Sequence, residues 1–109
     1  MHTHEPDANV QFVCADCAPK PDPRYATLEP QRFLGRQVKR AFPVLRTPLT
    51  PEARQLPKVE HMWCKVVRVN ADGMLQARLA NEPFFPVGVR YRAWVQVALQ
   101  EIEDVHPAF

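Results

Sequence analysis

From Met74 to Ala80 every second side chain is apolar, with Leu75, Ala77 and Leu79 alternating with Gln76 and Arg78. A period of two puts the apolar set on one side of an extended ribbon, the pattern of a strand with one buried face. Upstream, Met62 to Val69 is rich in Val and aromatic residues, and Asn70-Ala71-Asp72-Gly73 separates the two runs. Asp and Gly tolerate the positive φ that tight turns demand, so the pair of runs reads as a hairpin. Downstream, Arg90 to Leu99 repeats the alternation. There Tyr91, Ala93, Val95, Val97 and Leu99 are expected inward, and Arg90, Arg92, Trp94 and Gln96 outward.

The front of the chain reads differently, because nine of the twelve prolines precede Glu60. Proline donates no backbone hydrogen bond and ends helices, so this half is rich in loops. The fold class expected is mainly β, β-rich α+β at most: four or five antiparallel strands in a small meander curled toward a barrel. Residues 1–23 form a proline-rich extended arm, flexible or strand-like, in which Val10, Phe12 and Cys14 make a short edge. Residues 24–109 form one small β domain, with a first strand over about 35–43, a connection over 44–58 and a core β unit over 60–104. Thr50-Pro51-Glu52-Ala53 carries an N-cap Thr and a proline at the first helical position, which predicts one helical turn in the connection. The three-residue spacing of Leu99, Ile102 and Val105 predicts a helical or 3₁₀ turn at the end of the sheet.

Motifs that carry chemistry are scarce. His2, His4, Cys14 and Cys17 could supply four zinc ligands, but their spacing is not that of a usual zinc finger. Free thiols on the arm are therefore expected, with no metal and no cofactor. A redox Cys-x-x-Cys opens a helix after a strand, which Pro19, Pro21 and Pro23 disallow. The absence of serine removes serine-hydrolase chemistry. His61 lies beside Glu60, yet Cys64, three positions along the same strand, points to the opposite face, so the two make no dyad. No paired acid and base and no glycine-rich phosphate loop occurs, and no enzyme is expected. Three cysteines, without an apolar run after Met1, predict a reducing cytoplasmic setting.

Two surfaces stand out. Phe84 and Phe85 are adjacent, so one is expected in the core and one outside. Together with Arg90, Arg92 and Trp94 the exposed one would form the aromatic and cationic patch that protein interfaces favour. The second surface is the basic stretch 24–46, where Arg32, Arg36, Lys39 and Arg40 are interleaved with Tyr25, Phe33 and Phe42. Such a stripe grips phosphates and stacks bases in small barrels, although Phe33, Val38 and Phe42 also fall where a core wants them. Asn81, before Glu82-Pro83, is expected to satisfy backbone groups where the second ribbon ends.

Several short motifs occur in a fixed order: Gly35-Arg36-Gln37-Val38-Lys39-Arg40-Ala41-Phe42, Glu60-His61-Met62-Trp63-Cys64-Lys65-Val66, the Asp72-Gly73 turn, Leu79-Ala80-Asn81-Glu82-Pro83, Gly88 and Ile102-Glu103-Asp104. Over about the last two-thirds of the chain this order resembles the YegJ-like bacterial family of unknown function. The resemblance implies a fold and no activity. The chain departs from the family pattern at Ala77 and Arg92, where the family tends to carry glycine, and at Val105, where it often carries tryptophan. The expected function is a non-enzymatic module that binds a partner protein or another copy of itself. The alternative is a nucleic-acid-binding small β-barrel, and no membrane partner is expected.

Overall fold

The structure is a computed structural model that describes residues 18–45 and 57–109. His2, His4, Cys14, Cys17, the expected Val10–Cys14 strand, Arg46 and the expected turn at Thr50–Ala53 lie outside the described residues. Strands β1 (Gln37–Pro43), β2 (Val59–Val69), β3 (Leu75–Leu79), β4 (Trp94–Val97) and β5 (Asp104–His106) form one five-stranded antiparallel sheet in the order β4-β3-β2-β1-β5. Short 3₁₀ turns at Pro23–Thr27, Pro30–Phe33 and Leu99–Glu101 complete the regular structure of the described residues.

The expected β class holds, and β2 to β4 form the expected meander. The expected curl toward a barrel does not. Closure needs the two edge strands to meet, whereas β5 leaves β4 and pairs with β1 at the opposite edge. The connection that makes this crossing runs through the Leu99–Glu101 turn and buries Ile102 fully. Apolar surface that a barrel would hide by closing is covered here by turns and loops.

One side of the sheet is the core face. It carries Val38 and Phe42 from β1, Met62, Cys64 and Val66 from β2, Leu75, Ala77 and Leu79 from β3, Val95 and Val97 from β4, and Val105 from β5, all buried. Phe33, Val44, Val87 and Ile102 cover them from outside the sheet. Burial of a side chain of this size contributes about 1.5–3 kcal/mol, so the two-residue period specifies which face is hidden. Arg40 lies on the same side of β1 as Val38 and Phe42, at the rim. Its guanidinium stacks over Phe42 at 4.2 Å, donates to the Gln96 carbonyl at 3.0 Å and stands 3.8 Å from Glu101. Glu101 also accepts from the Ala98 amide at 2.8 Å. Arg40 thereby ties β1 to the far edge strand.

The hairpin between β2 and β3 contains an irregularity that period alone does not reveal. Val66 faces Ala77 and Arg68 faces Gln76, so Val67 is an extra residue, a β-bulge, and is exposed. Without it Arg68 would face Leu75 inside the core; with it Val69 does. The turn closes through Asn70, whose amide donates to the Met74 carbonyl and whose carbonyl accepts from Gly73. Gly73 adopts φ 86, where a side chain would be strained, and Asp72 Oδ1 accepts from the Met74 amide.

The third alternating run shortens on folding. The Arg90–Leu99 alternation predicts a strand with Tyr91 inside, but β4 begins at Trp94 and Tyr91 is exposed. Arg92 takes φ 70, a left-handed conformation no strand residue uses, and the Ala93 amide donates to the Arg90 carbonyl to close a turn. From Trp94 to Val97 the expected register holds, with Trp94 and Gln96 outward and Val95 and Val97 buried. The first strand likewise begins two residues later than expected, because Gly35 turns the chain at φ 81. The 3₁₀ turn expected at Leu99 is present and buries Ile102 behind it.

Candidate interaction surfaces

The loop between β3 and β4 is held by side chains whose partners are remote in sequence. Where β3 ends, Asn81 Oδ1 accepts from the Trp63 amide at 2.6 Å and the Ala80 amide donates to the Trp63 carbonyl, the expected structural role of Asn81. Glu60, at the start of β2, accepts from the Phe84 amide through Oε2 at 2.8 Å and from the Phe85 amide through Oε1 at 2.9 Å. One carboxylate thus satisfies two successive amides, each a charge-assisted bond. Phe85 packs against the core, while Phe84 is 85% exposed and meets Phe85 edge to face at 5.1 Å. Glu82, Pro83, Val89, Arg90 and Tyr91 line an open depression of about 420 Å³ beside them.

Of the patch expected from the sequence, Phe84, Phe85, Arg90 and Arg92 belong to this loop, and Trp94 opens β4 on the side of the sheet away from the core. Trp94 is 48% exposed, and the Arg78 guanidinium lies 4.0 Å from its ring centroid while donating to the Arg92 carbonyl at 3.0 Å. Arg78 is the member of this patch that sequence reading missed. The signal was cross-strand pairing, since Arg78 faces Trp94 in the register.

That same side of the sheet carries further cations. Lys65 faces Arg78 across β2 and β3, and Lys39 faces Trp63 across β1 and β2, with its Nζ 5.9 Å from the indole. Lys65 Nζ donates to the Gly35 carbonyl at 2.8 Å, and Arg68 donates to Gln76 Oε1 at 2.7 Å. His106 meets Trp63 edge to face at 6.4 Å.

The basic stretch expected to act as one stripe is divided. Arg40 is turned to the core rim and Lys39 to the other side, as adjacent strand positions must be. Arg32 and Arg36 place their guanidiniums 4.6 and 4.5 Å from the Phe109 ring centroid, and Arg36 donates to the Pro107 carbonyl at 2.7 Å. Phe109 packs in turn on Phe33 and Tyr25. Burial, first of all, raises the Tyr25 hydroxyl pKa, with nearby Asp104 adding to it.

His61 acquires a partner no local pattern announces: its Nδ1 lies 2.7 Å from Glu103 Oε1, and the other carboxylate oxygen of Glu103 accepts from the Lys20 amide at 2.7 Å. Cys64 is on the opposite side of β2, as expected. Burial pushes its thiol up to about 12, so it is neither a thiolate nor a nucleophile near neutrality. A raised pKa means the fold favours the neutral thiol. The resulting stabilisation is complete below the ordinary thiol range and is lost as pH rises toward 12. In a Cys14→Ala, Cys17→Ala chain at pH 8, alkylation of Cys64 should therefore be at least about 100-fold slower than in urea; equal rates would show an open thiol.

Among the described residues no three His, Cys, Asp or Glu side chains converge on a metal position. Nor is any helix among them long and apolar enough to cross a membrane. No curated protein and no solved structure matches the chain. Residues 31–106, from the Pro30–Phe33 turn through β5, do match one family model, described as an uncharacterised protein conserved in bacteria. They take in the whole sheet and its loops, and the chain belongs to that bacterial family, DUF2314.

Proposed function

We propose that this chain is a non-enzymatic interaction module that binds a partner protein, or a second copy of itself, through the loop between β3 and β4 and the start of β4. The observation that carries the reading is Phe84: an 85% exposed ring on a backbone whose amide is pinned by Glu60. A ring displayed on an ordered loop loses little conformational freedom on binding, which is how a small number of aromatic anchors dominate an interface. Tyr91 and Trp94 are exposed along the same stretch, with Arg90 and Arg92 between and beside them. Aromatic residues and arginine are the types enriched at interface centres. The nucleic-acid reading through Arg32, Arg36, Lys39 and Arg40 is not favoured, because those four side chains face in different directions and two of them hold Phe109. We further assign the chain to the YegJ-like type, since the ordered motifs from Gly35 to Asp104 all fall within the family match, and we take its setting to be the cytoplasm.

The test is light scattering across a concentration series, with tagged capture of partners, for the natural chain and Phe84→Ala. A mass that rises with concentration, or a partner that co-purifies stoichiometrically, is expected to weaken at least tenfold in Phe84→Ala, a loss of about 1.4 kcal/mol. A monomer without partner, or binding indifferent to Phe84, would sink the reading.

A further inference from the structure

The side of the sheet away from the core holds a combination of groups that neither the loop surface nor the family assignment uses. Trp94, Arg78 and Lys65 form one cross-strand row, and Trp63 with Lys39 forms part of the neighbouring row. The two indoles are therefore two strands and two residues apart, about 12 Å between backbone positions at ordinary strand spacings. Arg68 extends the cationic set toward the end of β2.

Among the described residues no carboxylate forms an ion pair with these four cations. Lys39 and Arg78 rest on indole rings, Lys65 on a backbone carbonyl and Arg68 on a glutamine amide. The ion pairs formed between described residues engage Arg24 and Arg40 instead. Asp104, opposite Lys39 in the register, leaves one carboxylate beside four cations, its Oδ1 accepting from the Val105 amide at 2.8 Å. Like charges gathered on one sheet face repel, and they gain most from a ligand that brings a line of negative charges and releases counterions. Indoles beside those cations add the second requirement, a flat platform for unsaturated rings.

We propose that this face binds single-stranded nucleic acid, with Lys39, Lys65, Arg68 and Arg78 on the phosphates and Trp63 and Trp94 stacking bases. Single strands fit because their bases are free to lie on a sheet, whereas a duplex hides them and an acidic peptide lacks them. The site is distinct from Phe84 and goes beyond the protein-binding reading. Trp94 is common to both, so it does not discriminate between them.

The chain reports on this site directly, because its two tryptophans are both on this face. The experiment titrates the full chain with oligo(dT) and oligo(U) of about ten nucleotides at roughly 50 mM salt, reading tryptophan emission and oligonucleotide anisotropy. Expected are quenching, a rise in anisotropy, and affinity that falls with salt at a log–log slope of about −2 to −3, the loss of three or four phosphate contacts. Lys65→Glu with Arg78→Glu should weaken binding at least tenfold, with near-ultraviolet circular dichroism confirming the fold, and Phe84→Ala should leave it unchanged. The two oligonucleotides tell whether the 2′-hydroxyl matters. No binding at low salt overturns the proposal. Heparin or polyglutamate binding equally well without quenching overturns it too, since charge alone would then account for it. A loss of binding in Phe84→Ala equal to that of the double variant would likewise overturn the separate site.

Discussion

Val95→Asp unfolds the chain at ambient temperature, whereas Trp94→Ala, one residue earlier, shifts the urea midpoint by no more than about 1 kcal/mol equivalent. Val95 faces Ala77 on the core side of β4, among Leu75, Leu79 and Val97, which are all but fully buried. Arg40, the cation on that side of the sheet, is already held by the Gln96 carbonyl and Glu101. A buried carboxylate without its own partner costs on the order of 4 kcal/mol or more, a large part of the stability of a chain this size. Trp94 loses only its half-exposed surface and the stack of Arg78 upon it. Equal denaturation curves for the two variants would mean that the faces of β4 are assigned the wrong way round.

Phe33→Ala has the next largest expected effect, about 3–5 kcal/mol by chemical denaturation. Phe33 is fully buried at the end of the Pro30–Phe33 turn, edge to face with Tyr25 at 6.1 Å and with Phe109 at 5.2 Å. It is the ring on which the N-terminal turns and the C-terminal residues meet, so its removal leaves a cavity that no single neighbour can fill. Phe109→Ala, at a ring 46% exposed, should cost about 1 kcal/mol, chiefly the two guanidinium contacts. If Phe33→Ala were no worse than Phe109→Ala, the packing described around Phe33 would be incorrect.

Local sequence made the site legible only in part. The exposure of one of Phe84 and Phe85, the outward register of Trp94 and the backbone-capping role of Asn81 all follow from alternation and from the proline after Glu82, and each holds. Arg78 beside Trp94, Glu60 beneath Phe84, and Glu103 against His61 were not legible, because each pair is joined by strand pairing or loop return across 16, 24 and 42 residues of chain. The basic stretch misled for a related reason. Composition counts Arg36, Lys39 and Arg40 together, but a strand sends Lys39 and Arg40 to opposite faces, and a turn delivers Arg36 to Phe109. Tyr91 misled because alternation continues through a residue, Arg92, whose φ of 70 breaks the ribbon.

By itself, the sequence determined the β character, the hairpin at Asp72-Gly73 and the face each side chain of β2, β3 and β4 would take before the bulge and after the turn. Those are consequences of a two-residue period acting over neighbouring positions, where burial of one set and solvation of the other decides the register. Tertiary structure alone decided that β5 would leave β4 for the far side of β1, that the sheet would stay open, and that cations from β1, β2 and β3 would collect around two indoles. Strand order and cross-strand company depend on which remote segments cover the apolar face, here Phe33, Val87 and Ile102, and that competition is settled only when the whole chain packs.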